Sequence, residues 1–548
     1  MDPIDSILSA HRPLRWSLVL AGTVCISLGL ALLPGRTSIP PLIESDYCYL
    51  LLAADRLYEG HGLTTPQPVA PLQPWDWQYD WGFLTNWPVG YSLIVWAIRC
   101  VFHQTTVEAC REISVFACAA ALVGWFVWIK RAVPPGVTGV LLAAVAAAST
   151  VPVASLTNPS TDAVLVAALP FVLLLATGAH RAPLGLAIAG LLAGGLFWIR
   201  YASVFVPLAV GFYLLIEAIR RRVRVREVVV FGLSSACPIA ALLMMNNLWG
   251  PTASAQVQFN LGQSVGFDFS LSLLARAWWA FTDLGFYDYR PLAHWVFALW
   301  PIGLVLCVAC FPQVREAMRC FFATRELTLT AFVVAALLAM LIAATTLFRA
   351  KYDYVGLDRY YLPIKPLYFL SFGAPLMLIP RRVVRAGLCV ALLVAASWTV
   401  QQEWSGTYTR QLKANRAATP YGQWSRCFEP GAAQLYEWLR KQNAPDLIVV
   451  SNFHEFLTLE TKIPALPIPP DEAALNQWIE RICAARRIVE PRVLFVLDPD
   501  NKWRDYWIAK PEEIVRSLHL QLHIGAPPLV AAYVYDYRAD TGYAAATR

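Results

Sequence analysis

The sequence has few charged residues. Only 15% of its 548 residues are charged, whereas 57% are hydrophobic, and the mean hydropathy is +0.49. A soluble globular domain usually has about a quarter of its residues charged, so this class is excluded. The apolar residues fall into runs of about 16–21, a length that crosses a bilayer as a helix. The runs, which predict a polytopic α-helical membrane protein, are 16–33, 88–103, 112–129, 138–152, 161–177, 183–198, 202–218, 228–245, 293–311, 327–347, 360–379 and 384–400.

The sequence also lacks the usual patterns of metal, redox and nucleotide sites. Its 12 cysteines are scattered, many of them inside apolar runs, where cysteine behaves as a small hydrophobic residue. Cys307 and Cys310 have no matching Cys pair or His cluster, which argues against a zinc site. No glycine-rich loop of the phosphate-cradling kind is present. A nucleotide-binding site is therefore not among the predicted features.

The net charge of +7 is concentrated in short loops between apolar runs, at 220–226 and 381–385. Such basic loops mark the cytoplasmic side of a membrane protein, so they do not indicate a nucleic-acid partner. The same rule places the first large loop, 36–87, and the tail, 403–548, on the other side. The twelve runs, an even number, would return the tail to the cytoplasm, so one run is miscounted, and we expect 11 or 13 membrane helices.

Residues 1–402 are the predicted membrane domain, and residues 403–548 are a predicted extracytoplasmic domain. In the tail, helical and strand patterns alternate, which is typical of a small α/β domain. It is long enough for a core of its own and lacks a cluster of acids, His or Cys, so we expect it to shape acceptor access. The predicted tail helices cover 432–442, 472–487 and 511–518, and the predicted strands cover 447–451, 493–497, 519–524 and 529–536.

Ionisable residues beside membrane helices are the main functional candidates. Asp46 is favoured because it follows the first apolar run closely, near the lipid face. Arg200, Arg359 and Lys365 interrupt or flank later runs, and an arginine fork binds phosphate oxygens well. The alternative for each arginine is a structural ion pair, and for Asp162 a helix N-terminal charge. The further candidates for substrate contacts are Asp76, Asp80, Asp162, Tyr201 and Tyr360.

Several of these residues lie in segments that resemble the membrane-embedded C-type glycosyltransferases, which include protein O-mannosyltransferases and the aminoarabinose transferases of lipid A. The resemblance implies the C-type glycosyltransferase fold and a place in the inner (plasma) membrane. It also implies that Asp46 is the catalytic base and that Arg200 and Arg359 contact the donor phosphate. Some relatives bind a divalent metal through paired acids; Glu44 and Asp46 have that spacing, and a metal is left open. The matching segments are 45–62, 86–91, 190–201, 246–250 and 358–366.

The activity that this resemblance implies is transfer of a sugar from a polyprenyl-phosphate donor to a hydroxyl of a lipid, glycan or protein acceptor at the outer face. Asp46 would accept the hydroxyl proton, and the basic residues would stabilise the phosphate leaving group. One alternative is a lipid-linked glycan polymerase or ligase, with its key residues in the loop 246–292. Another is a flippase or transporter of lipid-linked glycans, for which broken helices and internal repeats are expected.

Overall fold

The computed structural model describes residues 45–68, 77–85, 87–132, 160–178, 183–250, 271–282, 291–316, 324–347, 358–364, 430–469, 471–498, 511–524 and 530–537, with scattered positions between 366 and 391. The chain divides into two compact units. The membrane unit comprises 1–41, 107–244 and 263–407. The loop–tail unit comprises 42–106, 245–262 and 408–548, so that most of the first loop groups with the tail.

In the first part of the chain most helices follow the apolar runs, whereas in the last part helices alternate with strands. They are α1 (Ser45–Tyr58), α2 (Gly90–Phe102), α3 (Thr106–Ala132), α4 (Thr161–Gly178), α5 (Pro183–Ile199), α6 (Phe205–Ile219), α7 (Val225–Trp249), α8 (Leu271–Thr282), α9 (Pro291–Cys310), α10 (Arg325–Leu347), α11 (Pro430–Gln442), α12 (His454–Thr461), α13 (Glu472–Arg486) and α14 (Pro511–Ser517). Short 3₁₀ helices cover Tyr201–Val204 and Asp358–Ile364. The strands are β1 (Thr64–Pro68), β2 (Trp77–Phe83), β3 (Leu447–Ser451), β4 (Ala465–Leu466), β5 (Arg492–Leu497), β6 (Gln521–Ile524) and β7 (Ala531–Tyr535).

Among the described residues, 4 helical segments are long and apolar enough to cross a membrane: Thr106–Ala132, Tyr201–Ile219, Val225–Trp249 and Arg325–Ala343. Shorter apolar helices include α2, α4 and α5. The prediction of a helical membrane protein is therefore confirmed. The apolar runs 16–33 and 138–152 lie outside the described residues, as do most of 360–379 and 384–400, and the number of membrane helices stays a prediction.

Buried tryptophans connect the helices of the membrane unit. Trp125 and Trp128 of α3 are both fully buried. The Trp125 indole nitrogen donates to the carbonyl oxygen of Val166 on α4 at 2.9 Å. The Trp128 indole nitrogen donates to the Thr330 hydroxyl on α10 at 3.2 Å. An indole N–H that is buried away from water needs such a partner, so these bonds fix α3 against both neighbours.

Helices α5 and α7 approach each other closely because glycines of α5 line their contact. A Cβ atom added at Gly194 would lie 2.9 Å from the Ser235 carbonyl carbon, and nearer still to the carbonyl oxygen. The Trp198 indole nitrogen donates to the Pro238 carbonyl oxygen at 2.7 Å, which joins the same two helices. Small residues commonly allow membrane helices to pack this closely.

Replacing Gly194 with alanine should therefore destabilise the membrane unit. The new methyl group would meet the backbone of α7, which cannot rotate away, and overpacking of this kind costs about 1–3 kcal/mol. We expect Gly194→Ala to lower the thermal midpoint of the detergent-solubilised protein. Gly195→Ala is the matched control, since a Cβ there meets no atom within 4 Å. Equal midpoints for the two variants would contradict the close approach.

In the loop–tail unit, the first loop forms helix α1 and an antiparallel hairpin of β1 and β2, and helix α2 follows directly after the loop. The side chains from Tyr47 to Ala54 in α1 are buried. The Ser92 hydroxyl of α2 donates to the carbonyl oxygen of Leu50 at 2.7 Å and joins α2 to α1. Helix α1 is therefore packed against its neighbours and is not part of an extended loop.

The tail contains a five-stranded sheet with the strand order β4-β3-β5-β7-β6. Strand β3 runs parallel to β4 and β5, whereas β7 runs antiparallel to β5 and β6. Trp478 and Ile479 of α13 pack with Phe495 of β5 in the tail core. The predicted α/β tail is thus confirmed. The short elements α12 and β4 were not predicted, and α12 packs on α1.

Candidate functional site

Arg200 lies where helix α5 ends. Its backbone is extended, with φ −157° and ψ 123°, and its N–H still donates to the Leu196 carbonyl oxygen at 2.9 Å. The 3₁₀ helix Tyr201–Val204 follows directly. The side chain is 15% exposed, and its guanidinium forms an ion pair with Asp162.

Asp162 lies in the first turn of α4. The Ser160 hydroxyl accepts a hydrogen bond from the Ala163 N–H at 3.1 Å and so caps this helix. A carboxylate in the first turn is favoured by the helix dipole, as predicted for Asp162. Its side chain is 7% exposed and holds Arg200. The structural ion pair considered for Arg200 is therefore present, and Asp162 is the partner.

An aromatic ring contacts the same guanidinium. The Arg200 Cζ atom lies 4.7 Å from the ring centroid of Tyr360, within the range of a cation–π interaction. Tyr360 belongs to the 3₁₀ helix Asp358–Ile364, and its neighbour Tyr361 is fully buried. We call Asp162, Arg200 and Tyr360 the arginine cluster. A carboxylate and a ring together fix the direction of the guanidinium, as binding of an anion requires.

Tyr201 is the candidate beside this cluster. It is 9% exposed, and its ring centroid lies 5.2 Å from that of Phe197 on α5. The structure thus brings three of the candidates, Asp162, Arg200 and Tyr360, into contact and places Tyr201 next to Arg200 along the chain.

The other candidates are described only in part. Asp46 lies in the first turn of α1, and Asp80 lies in β2. Arg359 precedes Tyr360 in the same 3₁₀ helix. The side chains of these three residues, and all of Asp76 and Lys365, lie outside the described residues. Within the described residues, no group of three or more His, Cys, Asp or Glu side chains could hold a metal ion.

Asp55 is a central residue of the loop–tail unit that sequence reasoning missed. Its carboxylate accepts hydrogen bonds from Arg99, Thr106 and Lys462, and the two basic side chains are also its ion-pair partners. In the sequence Asp55 is one acid of several in a polar segment. Only folding brings it to Lys462, which is 407 positions away.

Two tryptophans of the first loop contact other side chains of the same unit. The Arg56 Cζ atom lies 3.6 Å from the Trp81 ring centroid. Trp87 stacks on Tyr49 with ring centroids 5.1 Å apart. One face of each tryptophan is thus covered by a neighbouring side chain.

His454, at the start of α12, is buried beside α1. Its Nδ1 atom lies 3.2 Å from the Glu455 carboxylate, and its ring centroid lies 6.5 Å from that of Tyr49. Burial lowers the pKa of His454 from 6.5 to about 3, because the charged imidazolium is poorly solvated there. This histidine is therefore neutral at physiological pH.

The buried histidine predicts that the unit loses stability in mild acid. Below pH 6.5 the unfolded chain takes up a proton on His454, whereas the folded chain does so only near pH 3. The unfolded state then binds more protons than the folded state. The free energy of unfolding therefore decreases as the pH is lowered, by up to about 1.4 kcal/mol per pH unit. We expect the thermal midpoint to fall between pH 7 and pH 5.

A glutamine at position 454 should flatten this pH dependence, whatever its effect on the midpoint at pH 7. His61→Gln is the control, since His61 is exposed in the same unit. Glu460 has the opposite effect on the pH dependence of stability, because burial raises its pKa and the folded state then takes up its proton first. The slope of the thermal midpoint is therefore best compared nearer pH 7 than pH 5. An unchanged slope in His454→Gln would show that another group causes the acid sensitivity.

Comparison with solved structures identifies the fold. The chain has the C-type glycosyltransferase fold, as the resemblance implied. It is similar to the crystal structure of ArnT, an aminoarabinose transferase, from Cupriavidus metallidurans bound to undecaprenyl phosphate. The TM-score is 0.54 and the identity 12%, over 95% of this chain and 98% of that one.

A second similar structure is the archaeal oligosaccharyltransferase AglB from Archaeoglobus fulgidus, in complex with an inhibitory peptide and a dolichol-phosphate. The TM-score is 0.53 and the identity 11%, over 97% of this chain and 75% of that one. No protein-family model and no curated protein sequence matches the chain. At these identities the likeness is one of fold.

Proposed function

We propose that the protein is a membrane glycosyltransferase that moves a sugar from a polyprenyl-phosphate-linked donor to an acceptor hydroxyl. The observation that carries the proposal is the match in fold, over nearly the whole of both chains, to an ArnT structure that holds undecaprenyl phosphate. The AglB structure likewise contains a dolichol-phosphate. The acceptor is a lipid, a glycan or a protein.

In this proposal the arginine cluster binds the donor phosphate. As the bond between the sugar and the phosphate breaks, negative charge grows on the phosphate oxygens, and a fixed cation stabilises that charge. The Asp162 carboxylate and the Tyr360 ring hold the guanidinium of Arg200 in place. Arg359, from the same 3₁₀ helix as Tyr360, and Lys365 are the further proposed phosphate contacts.

Asp46 is the proposed general base. It would accept the proton of the acceptor hydroxyl while the oxygen attacks the sugar carbon. The first turn of α1 carries it. Asp76, Asp80 and Tyr201 are proposed to contact the substrates.

We further propose that the protein lies in the inner membrane with the tail outside the cytoplasm. The basic loops at 220–226 and 381–385 support this orientation, since such loops stay in the cytoplasm. An alkaline phosphatase fused after residue 405 tests it, because this reporter is active only outside the cytoplasm.

The function is tested with radiolabelled undecaprenyl-phosphate sugars and membranes that contain the protein. We expect the label to pass from the lipid-phosphate fraction to an acceptor, and membranes with Asp46→Asn to show little transfer. Label that crosses the bilayer while it remains on its carrier would indicate a flippase. Lipid-linked chains that grow in length would indicate a polymerase.

A further inference from the structure

Helix α12 of the tail lies along helix α1 of the first loop and contacts it at both ends. At the start of α12, His454 lies beside Tyr49. At its end, Lys462 closes the helix in a left-handed conformation, with φ 60°, and its amine binds Asp55. Two contacts, one near each end, fix the direction of α1 as well as its position.

The Asp55 carboxylate is held by three segments at once. Its Oδ1 atom accepts from Arg99 of α2 and from Thr106, and its Oδ2 atom accepts from Lys462. The Asp55 side chain is 16% exposed and that of Lys462 is 31% exposed. An ion pair shielded from water adds little net stability, but separating its partners leaves a poorly solvated charge and is costly, so this pair opposes a movement of α1 away from Lys462.

A second ion pair lies beside Lys462 within the tail. The Arg440 guanidinium lies 3.8 Å from the Glu460 carboxylate, and its Nε atom donates to the Glu460 carbonyl oxygen at 3.2 Å. Glu460 lies two positions before Lys462. Positive and negative side chains thus alternate from α11 of the tail through Glu460 and Lys462 to Asp55 of the first loop.

Asp46 lies about two and a half helical turns before Asp55 on the same helix. Because α1 is a continuous helix of 14 residues, a tilt at its Asp55 end moves its Asp46 end. We infer that the tail positions the first-loop helix through Lys462 and Asp55, and that Lys462 is therefore a positioning residue for the transfer reaction. This inference rests on the proposed function, in which Asp46 is the base.

The test compares Lys462→Met, which keeps the aliphatic stem and removes the charge, with Lys462→Arg, which keeps the charge. Since a misplacement of about 1 Å can cost up to about 10²-fold in rate, we expect Lys462→Met to lower kcat by about 10–100-fold. Binding of undecaprenyl phosphate should be unchanged, and Lys462→Arg should keep most of the wild-type kcat. Lys441→Met is the matched control, since Lys441 is an exposed tail lysine that pairs with Glu437.

Hydrogen exchange of the full-length protein gives a second readout that does not depend on activity. In Lys462→Met, the amides of α1 should exchange faster than in Lys441→Met. Unchanged exchange would overturn the inference, and so would faster exchange with an unchanged kcat. If Lys462→Met and Lys462→Arg lost protein yield and donor binding to a similar extent, Lys462 would be needed only for folding, and the inference would be wrong. If the wild-type protein transfers no sugar, the proposed function fails, and with it the catalytic meaning of the inference, while the exchange data still decide whether Lys462 holds α1.

Discussion

Asp46→Asn should lower turnover by about 10²–10⁴-fold, the usual contribution of a general base. Asparagine has the size of aspartate but cannot accept the acceptor proton. The protein level and the affinity for the lipid phosphate should persist, because the proposed phosphate contacts lie elsewhere in the chain. Steady-state transfer by purified protein, with a separate measurement of donor binding, checks this expectation.

The control for Asp46→Asn should be an exposed acid of the same segment. Asp55 is unsuitable, because its carboxylate holds Arg99, Thr106 and Lys462. Glu59, exposed just after α1, is the better choice, and Glu59→Gln should transfer sugar at the wild-type rate. If Asp46→Asn did so too, the base would be sought at Asp76 or Asp80.

The elements that the sequence predicted well are those that depend on local pattern. Apolar runs of membrane length became α3, α4, α5 and other helices, because the backbone can satisfy its hydrogen bonds within such a segment. The tail strand predicted at 447–451 is β3 with the same bounds. The spacing of apolar residues and the turn residues between segments were sufficient to predict these elements.

The elements that were missed depend on contacts distant in sequence. Helix α1 was read as part of a polar loop, yet its residues from Tyr47 to Ala54 are buried. Their burial requires neighbours that no local pattern shows, among them α12, which also went unpredicted. The bond between Asp55 and Lys462 is of the same kind.

The arginine cluster was predicted in part: its members were identified from the sequence, but their contacts were not. Arg200 and Asp162 were found from sequence because each is a charge beside an apolar run, where an ionisable residue is rare. Their mutual contact, and the position of Tyr360 against the guanidinium, follow from how the segments pack. Sequence thus indicated the members of the cluster, and the structure showed which of them are partners.

Removing the Arg200 guanidinium should lower turnover by about 10²–10³-fold, as loss of one oxyanion-stabilising donor does in other enzymes. Arg200→Ala alone is ambiguous, because it would leave the nearly buried Asp162 carboxylate without its ion-pair partner. Breaking a buried pair in this way costs about 3–5 kcal/mol and threatens the fold. The double variant Arg200→Gln/Asp162→Asn avoids that problem, because it removes both charges and keeps groups that can hydrogen-bond.

The double variant should fold with a thermal midpoint near that of the wild type, bind undecaprenyl phosphate more weakly and transfer sugar slowly. Arg200→Lys should fall between it and the wild type, since lysine keeps the charge but lacks the bidentate fork. Asp162→Asn keeps the cation and leaves it an amide oxygen as a hydrogen-bond acceptor, so a folded Asp162→Asn protein should still bind the donor even if the guanidinium is less well oriented. If the folded double variant retained full affinity for the lipid phosphate, the ion pair between Arg200 and Asp162 would be a structural link between α5 and α4 and nothing more.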